Sequence, residues 1–333
     1  MRGFSRRDFL KIAGGLAFAA TVPFPRPSVS GMLGRIFGSQ ASETLPITPN
    51  DEFYITSYRS PPDVRLHKWA LSIKGLVERP MVLTYSEVLA RPSVSEIVTL
   101  ECIGNGVAGE AISTARWEGI PLKTLLQEAG VSPRGDDVIF RAADGYSDSI
   151  PFERAMKGDV LVTHTMNGVT LPRGHGFPVR MIVPGIYGMK SVQWLTDIEV
   201  VDHDYKGYYE KKGWSDDASV KTMSRIDRPV YGDTIQGLEY TMKGIAFAGT
   251  RGVALVEVSM DGGATWQAAN LEPPLSPYAW VFWSYRWKIR AAGDYSIMVR
   301  ATDGAGQLQT SYEQAPYPEG ATGLDEVGVT VES

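Results

Sequence analysis

Short alternating runs closed by glycine or proline recur along most of this chain, and they constrain its fold more than any other feature. Trp69–Gly75, Glu96–Leu100, Asp159–Thr165, Val192–Val200, Val253–Val258 and Gly293–Gly304 each read as a β-strand that ends in turn chemistry. With 35 Gly and 21 Pro in 333 residues, the chain has the turns that many short strands need. Helical signals are few. Thr84-Tyr85-Ser86-Glu87 has the form of a capping box, and Ile120–Gly130 carries Pro near its start and Gly at its end. Further strands are expected at Val138–Phe140 and, by alternation, over Phe177–Gly185. The class is therefore α+β. A chain of this length exceeds one ordinary core, so two domains are expected.

Only one cysteine, Cys102, is present, which excludes an intramolecular disulfide and any cysteine-based zinc or iron–sulfur set. It follows the run Glu96–Leu100 and opens the loop Ile103-Gly104-Asn105-Gly106. A strand that delivers one thiol to a tight loop suits a soft metal ligand. On position alone, a small buried hydrophobe is the better reading. Net charge is −5 and the pI is near 5.5, with no basic run that would track a phosphate backbone; this argues against a nucleic-acid partner.

The N-terminus reads as an address. Ser5-Arg6-Arg7-Asp8-Phe9-Leu10-Lys11 precedes an apolar run, Ile12–Val22, and resembles the twin-arginine type of export signal. Residues 1–22 are expected to be that signal. Residues 23–46, rich in Pro, Gly and Ser, read as a linker. Periplasmic or extracellular location follows, with cleavage near Ala17-Phe18-Ala19 or retention as an uncleaved anchor.

Beyond the linker, four segments resemble the sulfite oxidase family of molybdenum-cofactor enzymes: Thr99–Gly106, Ala111–Trp117, Met166–Arg180 and Ile182–Leu195. The resemblance implies a molybdopterin-binding domain over 47–224. It places the metal on Cys102, where a thiolate suits a soft metal. Arg180 resembles the family's phosphate-binding arginine, and His175 a pterin-contacting position. Ser191, Val192 and Gln193 match the loop that wraps the cofactor, with Gln193 where many relatives carry lysine. Asp137 falls where relatives place His or Thr against the cofactor, and Tyr54 and Thr56 fall in the entry segment. Without the family, His175 reads as a turn residue and Arg180 as a strand end. Tyr146 matches an active-site tyrosine whose hydroxyl faces the metal pocket.

The implied chemistry is oxygen-atom transfer, with sulfite oxidised to sulfate and electrons passed to a separate cytochrome or quinone-linked partner. Relatives that oxidise sulfite carry an arginine soon after the cysteine segment, where this chain has Gly106-Val107-Ala108-Gly109, and another where it has Thr56. Arg251 is expected to be lent to the pocket by the second domain. Reduction of a neutral S- or N-oxide, and a non-catalytic exported binding protein, are the competing readings. From about Arg225 the pattern is entirely β. Residues 225–333 read as an immunoglobulin-like sandwich resembling the family's dimerisation domain, which implies a homodimer. The aromatic run Trp280, Phe282, Trp283, Tyr285, Trp287 reads as core plus interface. Asp202-His203-Asp204 reads as a solvated loop.

Overall fold

Alternation along Ala70–Gly75 buries Leu71 and Ile73 on one face, and this strand sits near the middle of a five-stranded sheet. The computed structural model describes residues 44–332; the export segment and most of the linker lie outside them. The order in this sheet is Met81–Thr84, Ala70–Gly75, Leu195–Val201, Asp137–Ala142, Ser147–Pro151, with one parallel pairing, Ser72 to Asp197. A second sheet runs Val94–Glu101, Ile112–Pro121, Leu161–Met166, Val169–Thr170, and Arg180–Ile182 pairs with Leu161–Met166. Leu71, Ile73 and Phe140 share one core with Ile120, Val162 and Met181, which joins the two sheets.

Both expected helices form. Tyr85–Leu89 carries the reciprocal Thr84–Glu87 capping box. Leu122–Glu128 starts after Pro121 and is followed by Gly130 at φ 69°. The strand expected over 177–185 is shorter than its alternation suggests. Only Arg180–Ile182 pairs, and the flanking residues form the loops around the cavity described below.

The second half is a sandwich of two sheets. One runs Met223–Arg228, Glu239–Phe247, Val281–Lys288, Asn270–Leu271. The other runs Thr234–Gln236, Asp325–Glu332, Gly293–Asp303, Val253–Ser259, Gln267–Ala268. Period two sorts the aromatic run. Trp283 and Trp287 enter the sandwich core with Val256, Ile297 and Val327. Trp280 instead joins Ile103, Ile112, Tyr187, Met189, Val220 and Phe247 in a cluster that spans the two halves. Gly244 is obligatory, because a Cβ there would collide with the Arg225 carbonyl and the Trp283 ring.

This junction fixes the strand that ends at Cys102. Val94–Glu101 pairs along one edge with Ile112–Pro121. Its other edge is covered by the second half: Thr99 N donates to the Tyr278 carbonyl at 3.0 Å, Trp280 N donates to Thr99 Oγ1 at 2.9 Å, and Ser276 Oγ bonds the Ile97 carbonyl. An edge that would otherwise invite foreign pairing is thereby closed.

Candidate active site at a thiol-bearing cavity

Cys102 sits one residue past its strand, where the chain turns sharply. Cys102 N donates to the Ala111 carbonyl at 2.9 Å and Asn105 N to the Cys102 carbonyl at 2.9 Å. The Asn105 side chain closes the loop. Its Nδ2 donates to Glu101 Oε1 at 3.0 Å, and its Oδ1 accepts from Ala111 N at 3.0 Å. This bond network gives the Glu-Cys-x-Gly-Asn spacing a physical reason. Burial pushes the Glu101 carboxyl up to about 7, against the bond from Asn105. The thiol is free and partly exposed.

The thiol lines a cavity of about 240 Å³. Tyr54, Thr56, Tyr146, Arg180, Ser191, Val192 and Gln193 line the same cavity, so eight residues singled out in the sequence meet there, Cys102 included. Gly188 permits part of this: a Cβ there would stand 2.7 Å from the Tyr54 hydroxyl. Burial pushes the Tyr54 hydroxyl far above its ordinary value, so it remains protonated.

Arg180 is the buried cation of the site. Its Nη1 donates to the His175 carbonyl at 3.0 Å, Nη2 to the Ser191 carbonyl at 3.1 Å, and Nε to the Met181 carbonyl at 3.4 Å. Its guanidinium stacks on Trp117 at 5.0 Å. A guanidinium has five N–H groups, so two remain uncommitted. Among the described residues no carboxylate pairs with it. Burial lowers its pKa to about 10, which leaves it charged at neutral pH. A buried cation without an anion is costly unless something anionic completes it.

Three expected residues lie outside the cavity lining. His175 acts from behind: Nε2 meets the Asn50 carbonyl at 2.6 Å, its own carbonyl holds Arg180, and its buried Nδ1 has no partner. Burial lowers its pKa and keeps the ring neutral, so Nε2 is the donor. Asp137 accepts from Ser149 Oγ at 2.9 Å and Tyr205 N at 2.8 Å, a fastening between strand and loop outside the cavity lining. Arg251 donates through Nε to Asp303 at 2.7 Å and through Nη2 to the Val220 carbonyl at 3.0 Å and Thr222 Oγ1 at 3.1 Å, which fastens it at the domain junction outside the cavity lining. An exposed cation held against two lining residues is Arg59, which stacks over Tyr58, donates to its hydroxyl at 3.1 Å and reaches the Asp144 carbonyl at 3.4 Å.

Tyr146 lines the cavity, yet its hydroxyl is already engaged, 2.6 Å from Asp148 Oδ2 and 3.1 Å from the Met189 carbonyl. Other parts of the site escaped sequence reasoning. Tyr58, Tyr209, Trp194 and Trp214 complete an aromatic wall, and Asp144 contributes a buried oxygen without a partner. Trp194 is held at φ 50°, uncommon for so bulky a residue, and is anchored by Nε1 to the Arg173 carbonyl at 2.8 Å. Its place directly after Gln193 was the available signal.

The donor set tests what such a cavity holds. No cluster of three or more His, Cys, Asp or Glu side chains that could hold a metal ion occurs among the described residues. One thiolate cannot retain a bare ion. A metal carried by an organic chelate fits better: Cys102 would supply one soft ligand, the spare Arg180 N–H groups would suit an anionic group, and the orphaned Asp144 oxygen would accept a hydrogen bond.

Comparison with known proteins agrees. Residues 58–209 match the oxidoreductase molybdopterin binding domain, and residues 216–315 the Mo-co oxidoreductase dimerisation domain. Together these define a molybdopterin-dependent oxidoreductase. The chain is 33% identical to sulfite oxidase of Gallus gallus, over 79% of its own length and 68% of that protein. It is also 33% identical to mitochondrial sulfite oxidase of Homo sapiens, spanning 57% of that longer protein. The sulfane dehydrogenase SoxCD of Paracoccus pantotrophus shares the fold, with a TM-score of 0.74 at 22% identity over 96% of this chain and 97% of that one. The chain belongs to the sulfite oxidase family, and its cofactor is molybdenum carried by molybdopterin.

Proposed function

We propose that the protein oxidises a small sulfur oxyanion by oxygen-atom transfer, with sulfite to sulfate as the reaction to test first. The observation that carries this reading is the shared cavity of a free thiol, Cys102, and a buried arginine with two uncommitted N–H groups, Arg180. Similarity to sulfite oxidases supports the substrate class. When bound, the molybdenum cofactor supplies a two-electron centre with a transferable oxygen. Cys102 would hold its metal. Arg180 would meet its phosphate, and the Ser191–Gln193 loop its pterin. The aromatic wall of Tyr54, Tyr58, Tyr209 and Trp214 limits water beside the reacting atoms. Arg59, exposed beside the lining residues Tyr58 and Asp144, would favour the approach of anions. Tyr146 holds and moves a proton at its Oη, as developed below.

A second reading has its own observation. With Arg251 committed to Asp303 and the wall aromatic, the cavity also suits a neutral S- or N-oxide undergoing reduction. Sulfite-dependent reduction of an artificial acceptor is expected. Oxidation of a reduced dye by sulfoxides, with no sulfite turnover, would replace the first reading by the second.

The working protein is proposed to be an exported homodimer that hands electrons to a separate cytochrome or quinone-linked protein. The match of residues 216–315 to a dimerisation domain supports the dimer. The Ser5–Lys11 motif, outside the described residues, supports export. No helix among the described residues is long and apolar enough to cross a membrane. Sedimentation of the purified protein and fractionation of expressing cells test these assignments.

A further inference from the structure

Behind the cavity wall lies a buried ionic cluster that cofactor binding does not use. Asp148 lies on the strand Ser147–Pro151 and Tyr146 directly precedes that strand, and the two side chains meet on one side, hydroxyl to carboxylate at 2.6 Å. Asp148 Oδ1 meets Lys190 Nζ at 2.9 Å and accepts from Ser149 N at 2.8 Å. Lys190 also contacts Glu210 at 2.8 Å and Asp216 at 3.1 Å, and the second oxygen of Asp216 meets Lys206 at 2.6 Å. Side-chain exposure rises along this line, from 0% at Asp148 and 2% at Lys190 to 44% at Asp216.

The hydrogen bonds at its inner end do not balance with a single proton. The Tyr146 hydroxyl has one hydrogen but two acceptors, Asp148 Oδ2 and the Met189 carbonyl. If Asp148 is ionised, Tyr146 donates to it and the Met189 carbonyl faces a lone pair. If Asp148 carries a proton, it donates to Tyr146, which then donates to Met189. These are two states of one proton site beside the cavity.

We propose that Tyr146, Asp148, Lys190 and Asp216 form a proton route between the cavity and solvent. The proposal requires only that water be consumed or released at the bound cofactor, so it rests on the oxygen-atom-transfer reading and holds for either direction of reaction. In the outward direction, a proton from the cavity binds Tyr146 Oη while that hydroxyl's own hydrogen passes to Asp148. Lys190 gives a proton to Asp216 and is refilled from Asp148 after its carboxyl rotates. Asp216 releases its proton to water. Each step breaks one O–H or N–H bond and forms another, and no electrons move.

The electrostatics agree with this geometry. Burial and the neighbouring Glu210 raise Asp148 to about 7, against the opposing pull of Lys190. Burial works against the Lys190 charge, but Asp148 and Glu210 outweigh it and hold the ammonium. Tyr146 and Tyr209 face the same carboxylate from the cavity side, and burial raises both.

The test compares the full chain with Asp148→Asn by two readouts. In cofactor-free protein, infrared spectra across neutral pH should show carboxylic-acid C=O absorption that titrates near pH 7, and the difference between the parent chain and the variant should isolate the Asp148 band from that of Glu101. In the loaded enzyme, proton appearance in dye-containing, weakly buffered solution should coincide with metal reduction. In Asp148→Asn it should lag about 100-fold behind. Absence of an Asp148 band from the difference between parent and variant, or proton appearance that keeps pace with metal reduction in the variant, would overturn the route. If Asp148→Asn does not fold, Asp216→Asn at the exposed end carries the kinetic test with the same two outcomes. A substrate that fails to reduce the metal counts against the proposed function, while the infrared band still decides the route.

Discussion

Arg251 Nε and Asp303 Oδ2 stand 2.7 Å apart, and this pair, not the cavity, engages the arginine that the sequence assigned to the pocket from the second domain. Asp303 is buried and also accepts from the Ala305 and Gln307 amides, so the pair organises a turn next to the junction. Burial raises the Asp303 carboxyl, but Arg251 and these amides outweigh it and hold it below the usual carboxylate range.

Breaking that pair should therefore show first in stability. Arg251→Ala is expected to cost about 2 kcal/mol, since it strands the buried Asp303 carboxylate, while the partial exposure of Arg251 to solvent weakens the lost pair. Asp303→Asn should cost a similar amount, and the double variant little more than either alone. Urea denaturation of the four chains measures the coupling. Additive losses would contradict it.

Arg180 should govern cofactor retention. Its fork holds three carbonyls and keeps two N–H groups spare, a geometry that lysine cannot copy. Arg180→Lys is expected to fold yet lose most of its pterin, about tenfold in affinity for a lost charge-assisted pair. Pterin fluorescence after release from purified protein reads this directly. Full pterin content in the variant would remove Arg180 from the binding set.

Stability should fall as pH rises toward neutrality. Burial raises Asp148 from its ordinary 3.8, and Glu101 from its ordinary 4.5, each to about 7. Below the ordinary values both carboxyls are protonated whether the chain is folded or not, so their contribution is fully present. Between those values and about 7 the folded chain keeps protons that the unfolded chain has lost. Stability therefore drops through that window, by at most about 1.4 kcal/mol per pH unit for each group. Asp148→Asn should remove about half of the slope in cofactor-free protein. An unchanged slope would mean that Asp148 is ionised throughout.

Trp280 should couple the two halves to the thiol. It packs with Ile103, beside Cys102, and its amide bonds Thr99 on the same strand. Trp280→Ala is expected to cost about 3–5 kcal/mol. Its cofactor should also exchange faster than in the parent, measured by loss of bound metal over time. A stability loss with unchanged metal retention would confine Trp280 to packing.

What the sequence discloses and what it hides divide along contact distance. The Thr84–Glu87 cap and the helix bounded by Pro121 and Gly130 are local, and both form as their residues suggest. Cys102 was legible because a lone thiol stands where a strand meets a glycine loop. Asp148 was half legible, since period two places it beside Tyr146. Lys190 was not. In Gly188-Met189-Lys190-Ser191 it reads as a solvated turn, and only packing against Glu210 and Asp148, 20 and 42 residues away, buries it. The same limit explains Arg251, whose partner lies 52 residues on, and Asp137, whose strand position gives no hint of Tyr205. The aromatic wall was hidden in part because Tyr58, Tyr209 and Trp214 come from distant loops that meet only in the fold.

The most direct test of the account is the metal content of Cys102→Ser, expressed beside the parent chain in a host that makes the cofactor. The parent should carry one molybdenum per chain. The variant should carry almost none, with the stability of its cofactor-free form changed by no more than about 0.5 kcal/mol. Equal molybdenum in both chains, or none in the parent, would contradict the assignment of Cys102 as the ligand that organises this site.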